Sequence, residues 1–107
     1  MQSNVIYVKV SDDEMMALYQ NAIAFIYPSL YEGFGMPILE AFANKCPVLL
    51  NKKSCFPEIG GDAALYFESE YQKSNLIEIM EYIYNCTSTE RSNIEEKGYN
   101  RSKDFTW

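Results

Sequence analysis

Residues 27–51 read YPSLYEGFGMPILEAFANKCPVLLN and place two glutamates, Glu32 and Glu40, on either side of a Gly-Phe-Gly turn. The apolar run from Ala24 to Ser29 leads into this segment and predicts a short strand that ends at Pro28. A second apolar run follows the turn and predicts a helix. We therefore interpret the segment as a strand–turn–helix unit.

The turn has the composition of an anion-binding site. Gly33 and Gly35 allow backbone conformations and close approaches that a side chain would prevent. Pro37 fits the first turn of a helix, where a missing N–H costs nothing. Backbone N–H groups of residues 35–38 can then point past the end of the strand, and such a helix start attracts negative charge.

Glu40 is the unusual residue of the predicted helix. Its neighbours leave almost no polar face: Ile38, Leu39, Ala41, Phe42 and Ala43. A helix that is apolar all round is a buried helix, and a carboxylate on it must be paired or face a wet cavity. Helical side chains lean toward the helix N-terminus, so Glu40 is expected to point toward the glycine turn. The alternative is that Glu40 caps its own helix or pairs with a lysine.

The segment EGFGMPILE, from Glu32 to Glu40, resembles the E-x7-E signature of retaining glycosyltransferases with the two-domain GT-B fold, the large family 4. Three further stretches are similar to that family: SDDE with the following Leu-Tyr and Ala at residues 11–22, KCPV at 45–48, and FPEIGGDAA at 56–64. The resemblance extends from about residue 4 to residue 107.

The resemblance implies a donor site. It assigns the donor sugar and its phosphates to the first glutamate and the turn behind it, namely Glu32, Gly33, Phe34 and Gly35. The resemblance also assigns the catalytic role to Glu32. Met36 and Pro37, at the helix start, would face the pyrophosphate, and Glu40 would hold the ribose hydroxyls. An ionised carboxylate suits that task because it accepts hydrogen bonds from two adjacent hydroxyl groups.

No cofactor is implied beyond the nucleotide-sugar donor, which is a substrate. The chain has no histidine and no Asp-x-Asp sequence, so the signature of metal-dependent transferases is absent. We expect no metal site.

The rest of the chain alternates between strand and helix patterns, which predicts an α/β fold: a partial Rossmann-like parallel sheet flanked by helices. The predicted strands are 5–8, 24–28, 47–50 and 64–67, and the predicted helices are 11–21, 36–43, 71–85 and 89–105. Ser11 and Glu14 predict a capping box at the start of the first helix, and the last helix is expected to be charged and partly exposed. Two apolar stripes are expected to face the core: Met15, Leu18, Tyr19 and Ala22 in the first helix, and Leu76, Ile79, Met80 and Ile83 in a later one.

The end of the signature helix departs from the family pattern. Asn44 and Lys45 stand where the family usually has glycine, so we expect a left-handed cap at Asn44, which tolerates that conformation better than lysine. Glu58 and Asp62 are interpreted as caps of the short turn around Ile59.

Composition excludes several classes of partner. The net charge is −6 with only nine Lys and Arg, so nucleic acid is not expected. No stretch approaches the ~20 apolar residues of a membrane span, and the start lacks a signal-peptide pattern. We expect a cytoplasmic protein whose parent could lie at the inner face of the membrane. Cys46 is predicted to be a buried thiol in a reducing compartment.

Residues 1–107 are interpreted as a single partial domain, the later part of the donor-binding, C-terminal half of a GT-B enzyme. The parent would transfer a sugar from a nucleotide-sugar to an acceptor with retained anomeric configuration. The acceptor could be a glycan, a lipid-linked sugar or a small molecule. The N-terminal acceptor domain is missing, so we expect the isolated chain to be inactive and prone to self-association through exposed strand edges.

Three alternatives compete with a transferase. A non-catalytic nucleotide-sugar-binding module would need a partner for activity. A glycosidase would use Glu32 and Glu40 as its carboxylate pair, but a helix-borne Glu40 behind a phosphate-cradling turn fits ribose better. In a structural flavodoxin-like domain Glu32 would be an ordinary loop residue, and the Gly-Phe-Gly turn argues against that alternative.

Overall fold

The computed structural model describes residues 9–27, 36–52, 60–70 and 73–105. The helices are α1 (Asp12–Asn21), α2 (Met36–Ala43), α3 (Leu76–Asn85) and α4 (Ser88–Ser102). The strands are β1 (Phe25–Tyr27), β2 (Val48–Asn51), β3 (Leu65–Phe67), β4 (Ser69–Glu70) and β5 (Lys73–Ser74).

The main sheet has three parallel strands in the order β1-β2-β3. Phe25 pairs with Val48 in the first ladder, and Leu49 pairs with Leu65 in the second. All four residues of β2 are buried, as expected for a central parallel strand whose sequence is continuously apolar up to its last residue. The prediction of a Rossmann-like parallel sheet flanked by helices is confirmed.

The capping box of α1 is confirmed, but its predicted core stripe is mostly wrong. Ser11 accepts a hydrogen bond from the Glu14 backbone N–H, and the Glu14 carboxylate accepts one from the Ser11 N–H. Tyr19 is buried and packs edge-on against Phe25, with ring centroids 5.4 Å apart. The other large members of the stripe are exposed, and Ala22 is only half-buried. Among the described residues β1 is the outermost strand of the sheet, and Tyr19 is the member of the stripe that packs against it.

α2 supplies the centre of the core. Its buried side chains are Ile38, Leu39, Ala41 and Phe42. The helix packs against α1 on one side and against α4 on the other. Phe42 is only 1% exposed and lies against Gly98 of α4, where there is no side chain to hold the helices apart.

α2 ends in a Schellman motif at a residue that the sequence did not predict. Cys46 N–H donates to Ala41 O over 2.9 Å, and Lys45 N–H donates to Phe42 O over 3.0 Å. Lys45, and not Asn44, takes the left-handed conformation, with φ of 59°. The Asn44 side chain instead makes two hydrogen bonds: its amide nitrogen donates to Glu40 O, and its amide oxygen accepts from Gln20.

A β4-β5 hairpin occupies the region in which the sequence predicted the first turns of the 71–85 helix. Asn75 follows the hairpin, and its side-chain oxygen accepts from the Glu68 backbone N–H, so α3 begins only at Leu76. Ile83 is buried as predicted. Met80 was expected to face the sheet but is 42% exposed, so the predicted apolar stripe of this helix is only partly buried.

α4 confirms the predicted charged and partly exposed helix. Thr87 and Glu90 form a second capping box. Arg91 connects this helix to the end of α1, because its Nη2 donates to Ala22 O over 3.2 Å while its Nε donates to Glu95.

The remaining sequence predictions can be compared with the structure only in part. The strand predicted at 5–8 and the capping role of Glu58 lie outside the described residues. Cys46 is 2% exposed, as predicted. Within the described ranges, no helix combines the length and the apolar character that crossing a lipid bilayer requires.

Candidate functional site

The predicted donor turn is framed by β1 and α2. β1 ends at Tyr27 and α2 begins at Met36. Glu32, Gly33, Phe34 and Gly35 fall between these two elements and outside the described residues. Because the sheet is parallel, the carboxyl ends of β1, β2 and β3 share one edge, and the chain leaves β1 for the turn at that edge. Ligands of open α/β sheets bind outside such an edge.

The start of α2 matches the predicted strand–turn–helix unit. Met36 is the first helical residue, and Pro37 stands in the first turn and is half-buried. The first turn contains no acidic side chain that would compete with an anion for the backbone N–H groups.

Glu40 is exposed, whereas its neighbours Leu39 and Ala41 are buried. Glu40 takes part in no ion pair among the described residues, and its exposure gives this unpaired carboxylate access to solvent. An exposed carboxylate on a helix that is otherwise largely embedded in the core keeps its capacity to accept hydrogen bonds from a ligand.

Tyr19 lies close enough to Glu40 to feel its charge, which the sequence did not reveal. The pKa of the Tyr19 phenol is raised, first by burial and then by the negative charge of Glu40. Tyr19 therefore stays neutral under physiological conditions and is a potential hydrogen-bond donor. The sequence placed Tyr19 in a core stripe, and the stripe gave no sign of which side chain on α2 it would approach.

A second polar cluster lines a groove on the β2–β3 half of the sheet. The groove has a volume of about 760 Å³ and is lined by Lys52, Gly61, Asp62, Tyr66, Glu68 and Asn75. Only Asp62 stood out in the sequence, as a cap. Lys52, Tyr66 and Asn75 carried no signal because they are brought together by the pairing of β2 with β3 and by the hairpin that precedes α3.

Comparison with known proteins gives a family match. Residues 2–101 match the family model described as glycosyl transferases group 1. The chain is 34% identical over 98 residues to O-antigen chain mannosyltransferase B of Escherichia coli, covering 92% of this chain and 25% of that protein. No solved structure matches.

Two further relatives align over shorter stretches. O-antigen chain mannosyltransferase RfbU of Salmonella typhimurium is 41% identical over 66 residues, which are 62% of this chain and 19% of that protein. An MMP alpha-(1->4)-mannosyltransferase of Mycolicibacterium hassiacum is 40% identical over 52 residues, which are 49% of this chain and 13% of that protein.

The chain thus spans about a quarter of the length of the Escherichia coli relative and less of the other two. The family model nevertheless matches almost the whole chain, including the turn between β1 and α2. The chain belongs to the family of glycosyl transferases group 1.

Proposed function

We propose that this chain is the later part of the donor-binding, C-terminal half of a retaining GT-B glycosyltransferase of family 4. The observation that carries the proposal is the placement of Glu40. It is an exposed carboxylate on a largely buried helix, and that helix starts at the carboxyl edge of a parallel sheet. Such an edge is where an α/β sheet receives a nucleotide.

In this proposal different site residues contact different parts of the donor. Glu40 accepts hydrogen bonds from the ribose hydroxyls. The backbone of Gly33, Phe34 and Gly35 contacts the donor sugar and its phosphates. The helix start at Met36 and Pro37 stabilises the charge that grows on the leaving nucleoside diphosphate, because the N-terminal end of a helix is electropositive.

Glu32 is the proposed catalytic residue. Its contacts with the donor sugar strengthen as the glycosidic bond breaks, and interactions that are stronger in the transition state than in the ground state accelerate the reaction. The reaction proceeds without a metal ion in this proposal, since the helix start and the turn stabilise the diphosphate.

Mannose is the sugar that we propose, since the three relatives reported above are named as mannosyltransferases. Two of the names refer to an O-antigen chain, which favours a glycan over a small molecule as the acceptor. The complete protein would include an acceptor-binding domain and would work in the cytoplasm or at the inner face of the membrane.

The test is a transfer assay with the complete gene product. It is supplied with a panel of nucleoside diphosphate sugars and with mannose oligosaccharides as acceptors, and the new linkage is analysed by nuclear magnetic resonance. We expect a mannosyl product whose anomeric configuration equals that of the donor. An inverted product would overturn the retaining assignment, and donor hydrolysis without transfer would overturn the transferase.

The same assay separates the proposal from its nearest alternative. A gene product that binds a nucleotide-sugar but transfers nothing would be the non-catalytic module. Purified residues 1–107 are expected to give no product, because catalysis of this kind depends on groups positioned from both sides of the donor.

A further inference from the structure

The Tyr19 hydroxyl is a polar group without a partner on an otherwise buried side chain. The ring packs edge-on against Phe25, and only 6% of the residue is exposed. A buried tyrosine usually finds a hydrogen-bond partner for its hydroxyl. In the described ranges of the chain, the Tyr19 hydroxyl takes part in no hydrogen bond. The phenol therefore keeps its donor and its acceptor capacity.

This hydroxyl is not sealed inside the core. Across the described residues, every enclosed side-chain oxygen or nitrogen has a hydrogen-bond partner. Since the Tyr19 oxygen has none, it must reach the protein surface. The residue thus presents a hydroxyl to the outside while its ring is held by the core, and little conformational freedom would be lost if a ligand bound there.

The contact between α1 and α2 places Tyr19 beside Glu40. Gln20 Nε2 donates to Asn44 Oδ1 over 3.0 Å, and Asn44 Nδ2 donates to Glu40 O over 2.8 Å. Tyr19 directly precedes Gln20, and Glu40 lies one helical turn before Asn44. The negative charge of Glu40 accordingly contributes to the raised pKa of the Tyr19 phenol. An unpartnered hydroxyl and an exposed carboxylate therefore lie near one another between the two helices.

Both side chains are expected to lean toward the edge of the sheet where the donor turn begins. α2 connects the carboxyl end of β1 to the amino end of β2, so its first turn lies at the carboxyl edge. The last turn of α1 adjoins the end of α2 through Gln20 and Asn44, and α1 likewise leads into the amino end of its strand. Long helical side chains lean toward the N-terminus of their helix, which is here the carboxyl edge of the sheet.

A phenol and a carboxylate together complement a pair of adjacent hydroxyl groups. An ionised carboxylate only accepts, so Glu40 can take the protons of both hydroxyls of a ribose. The lone pairs of the ribose oxygens then still need a donor, and a carboxylate cannot supply one. The Tyr19 phenol can, because its raised pKa keeps it protonated at neutral pH.

We propose that Tyr19 is a second ribose-binding residue of the donor site, which donates its hydroxyl proton to a ribose oxygen while Glu40 accepts from the ribose hydroxyls. This assignment rests on the proposed function. It makes the site selective for ribonucleotides over deoxyribonucleotides, because removal of a ribose hydroxyl leaves polar groups of the protein without a partner.

The test is calorimetric titration of the complete gene product with GDP, UDP and ADP, followed by the 2′-deoxy and 3′-deoxy forms of the nucleotide that binds most tightly. Tyr19→Phe removes only the hydroxyl, and Tyr84→Phe, at a 70% exposed position of α3, is the matched control. Tyr19→Phe is expected to weaken ribonucleotide binding about three- to tenfold, the size of one neutral hydrogen bond. It should not weaken binding of the deoxy form that lacks the contacted hydroxyl, and the control should bind as the unchanged protein does.

Thermal unfolding separates a binding role from a structural one. Tyr19→Phe should be as stable as the unchanged protein, because the hydroxyl makes no hydrogen bond with the described residues. A clear loss of stability would assign the hydroxyl to the fold and overturn the proposal.

The nucleotide series distinguishes failure of this inference from failure of the proposed function. If none of the three nucleotides binds the unchanged protein, the proposed donor site fails and the role of Tyr19 fails with it. If a nucleotide binds equally well to Tyr19→Phe, the donor site stands and the Tyr19 assignment is overturned. An equal loss of affinity for the ribonucleotide and for both deoxy forms would also overturn it, since the phenol would then not contact a ribose hydroxyl.

Discussion

Gly98 of α4 lies directly against the aromatic ring of Phe42 of α2. A Cβ built on Gly98 would stand 2.6 Å from Phe42 Cδ1 and 3.3 Å from the neighbouring ring carbons. Phe42 is 1% exposed and belongs to the main core cluster, so its ring has little room to move aside. The absence of a side chain at position 98 therefore sets how closely α2 and α4 approach.

Overpacking by Gly98→Ala is expected to cost about 1–3 kcal/mol of unfolding free energy, because the buried Phe42 ring has little room to move. The gain in helix propensity offsets about 1 kcal/mol of this cost, so we expect a net destabilisation of up to about 2 kcal/mol. Urea denaturation followed by circular dichroism measures the difference. Asn93→Ala, at an exposed position of the same helix, is the control and should not be destabilised. A Gly98→Ala protein as stable as the unchanged one would contradict the prediction.

The left-handed backbone conformation of Lys45 leads to a second prediction about stability. Its left-handed conformation costs about 1–2 kcal/mol for a residue with a Cβ. Its side chain lies 3.8 Å from Glu96 and 5.3 Å from the Tyr99 ring centroid, which are exposed contacts worth less than that. Lys45→Gly should therefore be more stable than Lys45→Ala by about 1 kcal/mol, since both variants lose the contacts but only glycine relieves the strain. Equal stability of the two variants would contradict the backbone argument.

The two capping boxes predict a pH dependence. The pKa values of Glu14 and Glu90 are lowered, mainly because each carboxylate accepts a hydrogen bond from the backbone N–H of its cap residue. A lowered pKa means that the folded state binds the proton less tightly than the unfolded state, so this stabilisation is present above pH 4.5 and is lost as the pH falls through the folded pKa.

Glu90→Gln should therefore lower stability at neutral pH, and its effect should shrink steadily below pH 4.5. Thermal unfolding over a series of pH values measures this trend. Glu81→Gln, at an exposed position of α3, is the control and should show no such trend. A Glu90→Gln effect that is independent of pH would exclude the ionised cap.

Cys46 should be chemically inert in the folded chain. It is 2% exposed, and burial raises the pKa of its thiol to about 11. The thiolate is the reactive form, so alkylation at mildly alkaline pH should be slow until the chain unfolds. Cys86 is half-buried and should react faster. Mass spectrometry of iodoacetamide-treated peptides distinguishes the two sites, and labelling of Cys46 at the rate of Cys86 would disprove the prediction.

The donor assignment predicts three different effects in the complete gene product. Glu40→Gln should weaken nucleotide-sugar binding by about 1–3 kcal/mol, because a neutral amide pairs imperfectly with the ribose hydroxyls. Glu32→Gln should lower turnover more than affinity. Gly35→Val should abolish binding, because its side chain would occupy the place where the backbone meets the donor. Calorimetric titration and steady-state kinetics separate these effects.

Glu81→Gln is the matched control for the glutamate variants and should bind the donor normally. Unchanged donor affinity in a folded Glu40→Gln protein would return Glu40 to a structural role. Reduced affinity with unchanged turnover in Glu32→Gln would instead assign Glu32 to binding.

Local signals predicted the elements of this fold, and distant contacts decided their details. The capping residues Ser11 and Glu14 marked the start of α1 because both lie within one turn. Whether Met15 and Leu18 would be buried could not be predicted from the sequence, since their burial depends on how much of the sheet lies beneath α1. By intrinsic preference Asn44 adopts the left-handed backbone conformation more readily than Lys45. The side chain of Asn44, however, is held by hydrogen bonds with Gln20 and Glu40, and Lys45 takes that conformation instead.

The same contrast between local signals and distant contacts applies to the candidate site. Glu40 could be singled out as a candidate because a charge within an apolar helix stands out in any sequence. The groove was not, since Lys52, Tyr66 and Asn75 are ordinary residues until β2 pairs with β3 and the hairpin places Asn75 against Glu68.

The hydrogen bond from Arg91 to the Ala22 carbonyl joins residues 69 positions apart in the chain. α1 cannot complete its docking until α4 has been synthesised and has left the ribosome. During translation the apolar faces of the earlier elements therefore stay uncovered, and the need to form contacts between distant residues slows folding further. The order of synthesis thus makes α4 the element that closes the core, so a chain truncated before Arg91 should remain a target for chaperones and proteases.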